Sequence, residues 1–524
     1  MSLARLISPV LVFSSLVLSP ASSMAQPRTV QQRISTGILE GVVSDDGKVR
    51  TFKGIPYAAP PVGALRWKPP QPVAPWTGVR RAVDFGPRCM QTRVYDDMIF
   101  HDAGPSEDCL YLNLWMPEGR TQAPLPVMVW VYGGGFMAGA TSEPRQDGGN
   151  LSQKGVLVVS MNYRLGIFGF FSHPELSKES SQGASGNYGL MDQVAALKWV
   201  HDNISAFGGD PGNVTIFGES AGSSSVSALM ASPLAKGLFC RAIGESGAMF
   251  NATRPAKTRA ETEKLGVEFA KSIGADSLEA LRAKPATEIL EAAAKKGAPQ
   301  FRPNVDGYFL PESVEAIFSA GKQSHVPLLA GWNTDEGSYH EIFKDGPPTP
   351  EAFAAKVREL YGAKADAVLK LYPAANVEQA KRAARDLAGD RFTALSTWKW
   401  LESQLQTGQA PAYRFHFEET LPFPKGAPPS PGEEPAAPHS SEIEFVFQVL
   451  SSRDLPWRPE DQAVSELMGS YWTNFAKTGD PNGAGLPHWP PYAPTDYPVM
   501  HLNANSQAKP DQYRPRYELL STIH

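Results

Sequence analysis

The chain of 524 residues carries a net charge of −5 and no block of basic residues, which excludes nucleic acid as a partner. Hydrophobic residues at 42% against 20% charged describe a globular protein with a large core, not a disordered or fibrous one.

At the N-terminus Arg5 precedes a largely apolar run from Leu6 to Leu18, and Ser23-Met24-Ala25 follows as a small-x-small cleavage site. Residues 1–25 are therefore predicted to be a signal peptide, with the mature chain starting near Gln26, secreted or periplasmic. The run is too short, and too broken by Pro9 and serines, to span a bilayer. An oxidising destination suits the cysteines: a disulfide between Cys89 and Cys109 is predicted to contribute about 3 kcal/mol. Cys240, inside the apolar run Leu238 to Ile243, is predicted to be a buried free thiol.

Leu39 to Phe52 alternates around Asp45-Asp46-Gly47, a hairpin signature. The proline-rich segment that follows, through Pro69-Pro70, predicts an ordered loop. Ser106 to Trp115 alternates into a strand, and Val127 to Tyr132 is a continuous apolar run, as a fully buried strand requires. Gly133-Gly134-Gly135 ends it, and three successive glycines let a backbone approach another group very closely. Val156 to Ser160 predicts the next buried strand and Gly189 to His201 a helix.

Asp210-Pro211-Gly212 then releases the short β-branched and aromatic run Asn213 to Phe217, followed by Gly218-Glu219-Ser220-Ala221-Gly222 and a helix-compatible run to Met230. In a chain with 46 glycines a bare G-x-S-x-G is a weak signal, but strand, sharp turn and helix in that order make it a nucleophile elbow. Ser220 is the candidate nucleophile. The Ala221 N–H and the glycine turn at 133–135 are candidates for holding an oxyanion. Gly244-Glu245-Ser246-Gly247-Ala248 looks similar but has alanine where the second elbow glycine must stand, so Ser246 is a poor nucleophile candidate.

Arg241-Ala242-Ile243 and Val326 to Gly331 predict further strands, with two helical stretches over 260–296 between them. Residues 351–407 are predicted mostly helical, with Phe353, Val357 and Leu360 on one face. Ala412 to Phe417 is a late strand, Pro422 to Pro438 a stiffened loop, and a long helix from Asp461 carries a core stripe of Val464, Leu467, Met468, Tyr471, Trp472 and Phe475. The alternation argues a doubly wound, mostly parallel α/β sheet. With no repeats or flexible linkers, residues 26–524 are expected to form a single catalytic domain.

A serine hydroxyl needs a histidine to take its proton and a carboxylate to orient that histidine, in the chain order Ser, acid, His on this architecture. His325 precedes a strand, His416 lies within one and His524 is terminal, whereas His439 lies in a loop beyond a strand, where such sheets gather catalytic groups. Asp335 and Glu336 both follow the strand ending at Gly331, and the residues alone do not choose between them.

The motifs Phe52 to Trp67, Glu107 to Asn113, Tyr132 to Phe136, Phe207 to Gly222, Asp335-Glu336-Gly337, His439 with Glu442 to Phe447, and Tyr471 to Asn482 resemble, in order, the type-B carboxylesterase and cholinesterase family of α/β hydrolases. The resemblance implies an α/β-hydrolase fold with helical insertions around the active site. It assigns the acid to Glu336 and the oxyanion hole to the N–H groups of Gly134, Gly135 and Ala221, and it supports the Cys89–Cys109 pair. The family's choline-binding tryptophan between those cysteines is missing here, which disfavours cholinesterase activity. The expected activity is hydrolysis of a small-molecule carboxylic ester with no metal or organic cofactor. The alternatives are a non-catalytic binding or adhesion protein, and acyl transfer or amide or thioester cleavage by the same residues.

Overall fold

The structure, a computed structural model, describes residues 28–119, 123–250, 255–426 and 434–523; the predicted signal peptide, residues 1–25, and residues 427–433 of the proline-rich run lie outside them. The central element is a sheet of thirteen strands. In chain order these are β1 (Thr29–Ile34), β2 (Gly37–Val43), β3 (Val49–Pro56), β4 (Val79–Arg81), β5 (Tyr111–Pro117), β6 (Leu125–Val131), β7 (Leu157–Met161), β8 (Gly209–Glu219), β9 (Arg241–Glu245), β10 (Leu328–Asn333), β11 (Ala412–Phe417), β12 (Pro498–Leu502) and β13 (Gln507–Pro510).

In space they run β1-β2-β3-β5-β7-β6-β8-β9-β10-β11-β12-β13, with β4 beside β2. Every pairing from β7 across to β12 is parallel. Antiparallel pairs are confined to the two flanks. This is the large, mostly parallel sheet of an α/β hydrolase. Strands covered on both faces carry unbroken apolar sequence, and Val127, Met128, Val129, Trp130 and Val131 of β6 are all inaccessible to solvent.

The chain leaves β6 to form β7 on one side and returns to form β8 on the other. That reversal opens a crevice beyond the carboxyl ends of β6 and β8, where α/β sheets bind their ligands. The helices pack on the sheet faces, among them α1 (Tyr188–Asn203), α2 (Ala221–Ala231), α3 (Val377–Gly389), α4 (Leu395–Thr407), α5 (Pro459–Thr478) and α6 (Arg514–Ser521). The α5 stripe is buried except at Leu467, which is half-buried.

Several elements depart from the expectations. Residues 260–296 form three helices, Arg259–Ser272, Leu278–Ala283 and Ala286–Ala293, because Pro285 breaks the second stretch. On the helix Pro350–Tyr361 the inward face is Phe353, Val357 and Tyr361, while Leu360 is exposed. The Tyr361 hydroxyl is kept there by accepting a hydrogen bond from Arg391 at 3.0 Å. Cys240 is free but half-buried, since it precedes β9 at the sheet's amino end. Cys89 and Cys109 are joined, with 5.0 Å between their α-carbons. Strands β12 and β13 and helix α6 were not foreseen; the sequence reading assigned no regular element beyond the long helix from Asp461.

These last elements are locked on by a buried ion pair between Arg414 of β11 and Asp511, with the guanidinium 4.2 Å above the Trp332 ring. Both side chains are 1% exposed. Removing one partner strands a charge in the interior, so Arg414→Leu is expected to lower the unfolding free energy by about 3–5 kcal/mol in urea titration. Arg414→Met with Asp511→Leu should recover most of that loss; a loss under about 1 kcal/mol for the single variant would show that the pair does not hold this edge.

Candidate active site

Strand β8 ends at Glu219, and Ser220 stands at the turn into α2 with φ 56° and ψ −117°, a conformation that costs energy in any L-residue. Neighbouring strands hold it there: the Ser220 N–H donates to the Glu245 carbonyl at 2.8 Å, extending the β8–β9 ladder past the strand end. A side chain at Gly218 or Gly222 would collide with the Val131 carbonyl oxygen at the end of β6. The elbow is thus pressed against the glycine turn, where a side chain at Gly133 would come within 3.0 Å of Ser220 Cβ. Gly134 and Gly135 follow with φ 98° and 65°, in the region that favours glycine.

His439 reaches Ser220 from the far side of the sheet order. Its Nε2 lies 2.9 Å from Ser220 Oγ, and its Nδ1 lies 2.6 Å from Glu336 Oε2. An ionised Glu336 only accepts, so the Nδ1 proton points at it, and in the neutral ring the Nε2 lone pair faces the serine. Glu336 is buried and held at its other oxygen by the Asn333 N–H at 2.7 Å and the Ser246 hydroxyl at 2.5 Å. Asp335 turns the other way, to Arg385 at 3.0 Å, and its carboxylate and backbone N–H bond the Ala437 backbone. The Asn333 side chain adds a 2.8 Å bond to the Pro438 carbonyl. These bonds tie the turn carrying Glu336 to the loop carrying His439.

Several residues beyond those expected meet at this site. Ser246, a poor nucleophile candidate, also has positive φ (55°) and donates its hydroxyl to Glu336; its mimicry of the elbow was the available signal. Glu219, the variable position inside the G-x-S-x-G, brings a second carboxylate to His439 Nε2 at 3.1 Å. The disulfide loop carries Tyr95 and Met98 to the glycine turn. A side chain at Gly135 would come within 3.1 Å of the Tyr95 hydroxyl, and one at Gly134 within 3.0 Å of Met98 Cε. Gln91 fastens this loop by both donating to and accepting from the Gly139 backbone, at 2.8 and 2.9 Å.

A serine at the switch point of such a sheet, with glutamate and then histidine arriving from later loops, follows the chain order of α/β hydrolases. Sequence comparison narrows the class: residues 28–519 match the carboxylesterase family, and the chain belongs to it. It is similar to a protein of Sphingopyxis macrogoltabida named fumonisin B1 esterase, 39% identical over 492 residues covering 90% of this chain and 86% of the relative. The liver carboxylesterase of Sus scrofa is 35% identical over 540 residues, covering 93% and 90%. The cocaine esterase of Oryctolagus cuniculus is 35% identical over 517 residues, covering 93% of both chains. The protein is accordingly a carboxylic ester hydrolase.

Electrostatics around the histidine are set by buried carboxyl groups. Burial pushes Glu219 up to about 7, against the pull of His439 and Arg145. Burial likewise pushes Glu245 up to about 8, and Glu442 well above the carboxylate range with the Glu219 and Glu245 charges adding to the effect. For Glu336 burial acts upward too, but His439 and the hydrogen bonds from His439, Ser246 and Asn333 outweigh it and keep the group below its ordinary value. Burial alone would lower His439; the Glu219 and Glu336 carboxylates reverse this and raise it to about 10. Each ionised neighbour favours the imidazolium, and a protonated Glu219 withdraws that help. Replacing Glu219 by Gln removes a negative charge from the ring, so the ring loses its proton at lower pH. The ascending limb of kcat/KM for an ester is then expected to move to lower pH, and kcat to fall about tenfold as imidazolium formation loses a charge-assisted contact. A limb that stays or moves up, in a pH–rate profile, would remove Glu219 from the electrostatics of His439.

Proposed function

We propose that the protein is an exported serine esterase working through an acyl-enzyme on Ser220, with His439 as base and Glu336 as the carboxylate that orients it. The observation that carries this reading is the continuous chain Ser220 Oγ, His439 Nε2, His439 Nδ1, Glu336 Oε2, with links of 2.9 and 2.6 Å. Ser220 Oγ attacks the ester carbonyl while His439 Nε2 takes its proton. The N–H groups of Gly134, Gly135 and Ala221 receive the oxyanion, and the imidazolium then protonates the departing alkoxide. Water repeats the sequence on the acyl-enzyme, releasing the acid. Ser246 is a positioning residue that holds Glu336. Residues 26–524 act as one catalytic domain, on a small-molecule ester.

Esterase-named relatives across nearly the full chain leave no support for a non-catalytic binding protein. One relative is named as a fatty acyl-CoA hydrolase, which keeps a thioester among the substrates worth assaying. Export is supported by the predicted leader and is consistent with the Cys89–Cys109 disulfide; among the described residues no helix is long and apolar enough to cross a membrane.

Ser220→Ala is expected to lower kcat on p-nitrophenyl esters by about four to six orders of magnitude and to abolish labelling by a fluorophosphonate. A loss below tenfold would place the nucleophile elsewhere. N-terminal sequencing of protein recovered outside the cytoplasm should begin near Gln26; an intact Met1 in that fraction would contradict cleavage.

A further inference from the structure

Helices α3 and α4 are one continuous rod except for Asp390–Ala394, where the chain makes a wider turn and the Leu395 N–H reaches back five residues to the Asp390 carbonyl. Such an inserted residue changes the direction in which side chains leave a helix and recurs at functional sites. Packing shows what surrounds it here. Gly389 and Gly337 leave no room for side chains where the rod meets the turn that carries Glu336. Asp390 is buried and accepts from the Tyr372 hydroxyl at 2.6 Å, while Thr393 and Ala394 are also buried. Arg391 is half-buried and bonded to Tyr361, while Phe392 is 39% exposed, yet its ring lies edge-on to the His439 imidazole, 4.9 Å between centroids at 64°. Among the described residues, this ring leaves apolar surface open to solvent directly beside the proposed base.

Its position tells which half of the ester it meets. The imidazolium must protonate the departing oxygen, so the alcohol leaves beside His439, whereas the carbonyl oxygen points toward the glycine turn on the other side of Ser220. We propose that Phe392 is a specificity-determining residue that packs against the alcohol portion of the substrate and selects esters of flat, apolar alcohols, benzyl-type alcohols being the simplest. The inference rests on the serine-esterase reading above. An aromatic ring gains from another aromatic ring in edge or offset contact beyond the area that the pair buries. A flexible alkyl alcohol of similar acidity gains only the area, and a puckered ring cannot lie flat on the face.

The test compares acetates that differ only in the alcohol, with ethyl and benzyl alcohols close in acidity so that leaving-group chemistry is matched. Wild-type protein should prefer benzyl acetate to both ethyl and cyclohexylmethyl acetate in kcat/KM. Phe392→Ala should lose about tenfold on benzyl acetate and less than twofold on ethyl acetate. The preference among ethyl acetate, butyrate and hexanoate, which varies the acyl half, should not change. The pH profile on ethyl acetate should also coincide with the wild type, which a residue merely supporting the imidazole would not allow. Equal losses on all acetates, a shifted pH profile, or a change in acyl instead of alcohol preference would overturn the assignment while leaving Ser220 as the nucleophile. Failure of the wild type to hydrolyse any ester, or undiminished activity of Ser220→Ala, would instead overturn the serine-esterase reading and this inference with it.

Discussion

The site depends on the contact between the ends of β6 and β8. The Val131 carbonyl oxygen lies so close to the elbow that neither Gly218 nor Gly222 has room for a methyl group. That approach forces Ser220 into its positive-φ conformation and sets Gly133 to Gly135 alongside it. The strain is borne by a region that can bear it: the parallel ladders on both sides are buried and continuous, and the Ser220 N–H is itself bonded into the β9 ladder. A serine on a free loop could not keep its hydroxyl aimed in this way.

His439 and Glu336 are positioned by a different means. Neither sits on a strand, and what fixes them is a mesh of bonds between the turn after β10 and the loop before α5: Asp335 to Ala437, Asn333 to Pro438, and Glu336 to Asn333, Ser246 and His439. Buried hydrogen bonds of this kind are worth most where water cannot replace them, and they restrict the imidazole to one orientation. Around the mesh, Glu219, Glu245 and Glu442 are buried with raised affinity for protons. In the proposed mechanism Glu219 and Glu442, when ionised, favour the His439 cation, and a proton on Glu219 weakens that effect.

Two segments remote from this centre complete its surroundings. The disulfide loop puts Met98 and Tyr95 on the glycine turn, and the widened turn between α3 and α4 puts Phe392 on the histidine. Both are secured at their bases by buried polar contacts, Gln91 with Gly139 and Asp390 with Tyr372, while Tyr95 and Phe392 remain 38% and 39% exposed.

How much of this was legible follows from what each feature requires. The buried strands, the glycine turn and the elbow were, because unbroken apolar runs and obligatory glycines reflect local backbone demands that appear in the sequence itself. The place of His439 followed from the chain order and from where loops fall on such a sheet. The choice between Asp335 and Glu336 was not legible from the residues alone; adjacent side chains leave a turn in opposite directions, and only packing decides that Glu336 meets His439 while Asp335 meets Arg385. The roles of Ser246, Glu219 and Phe392 were hidden for the same reason. A serine, a glutamate and a phenylalanine look ordinary in their own segments, and what distinguishes them are partners about 90, 220 and 50 residues away, brought within contact by the tertiary fold. The central buried strands, the elbow and the family resemblance could be read from the residues, since these rest on short-range backbone constraints. The two strands at the sheet's far edge, the direction of each side chain at the site and the electrostatics that follow from it depend on distant segments packing together.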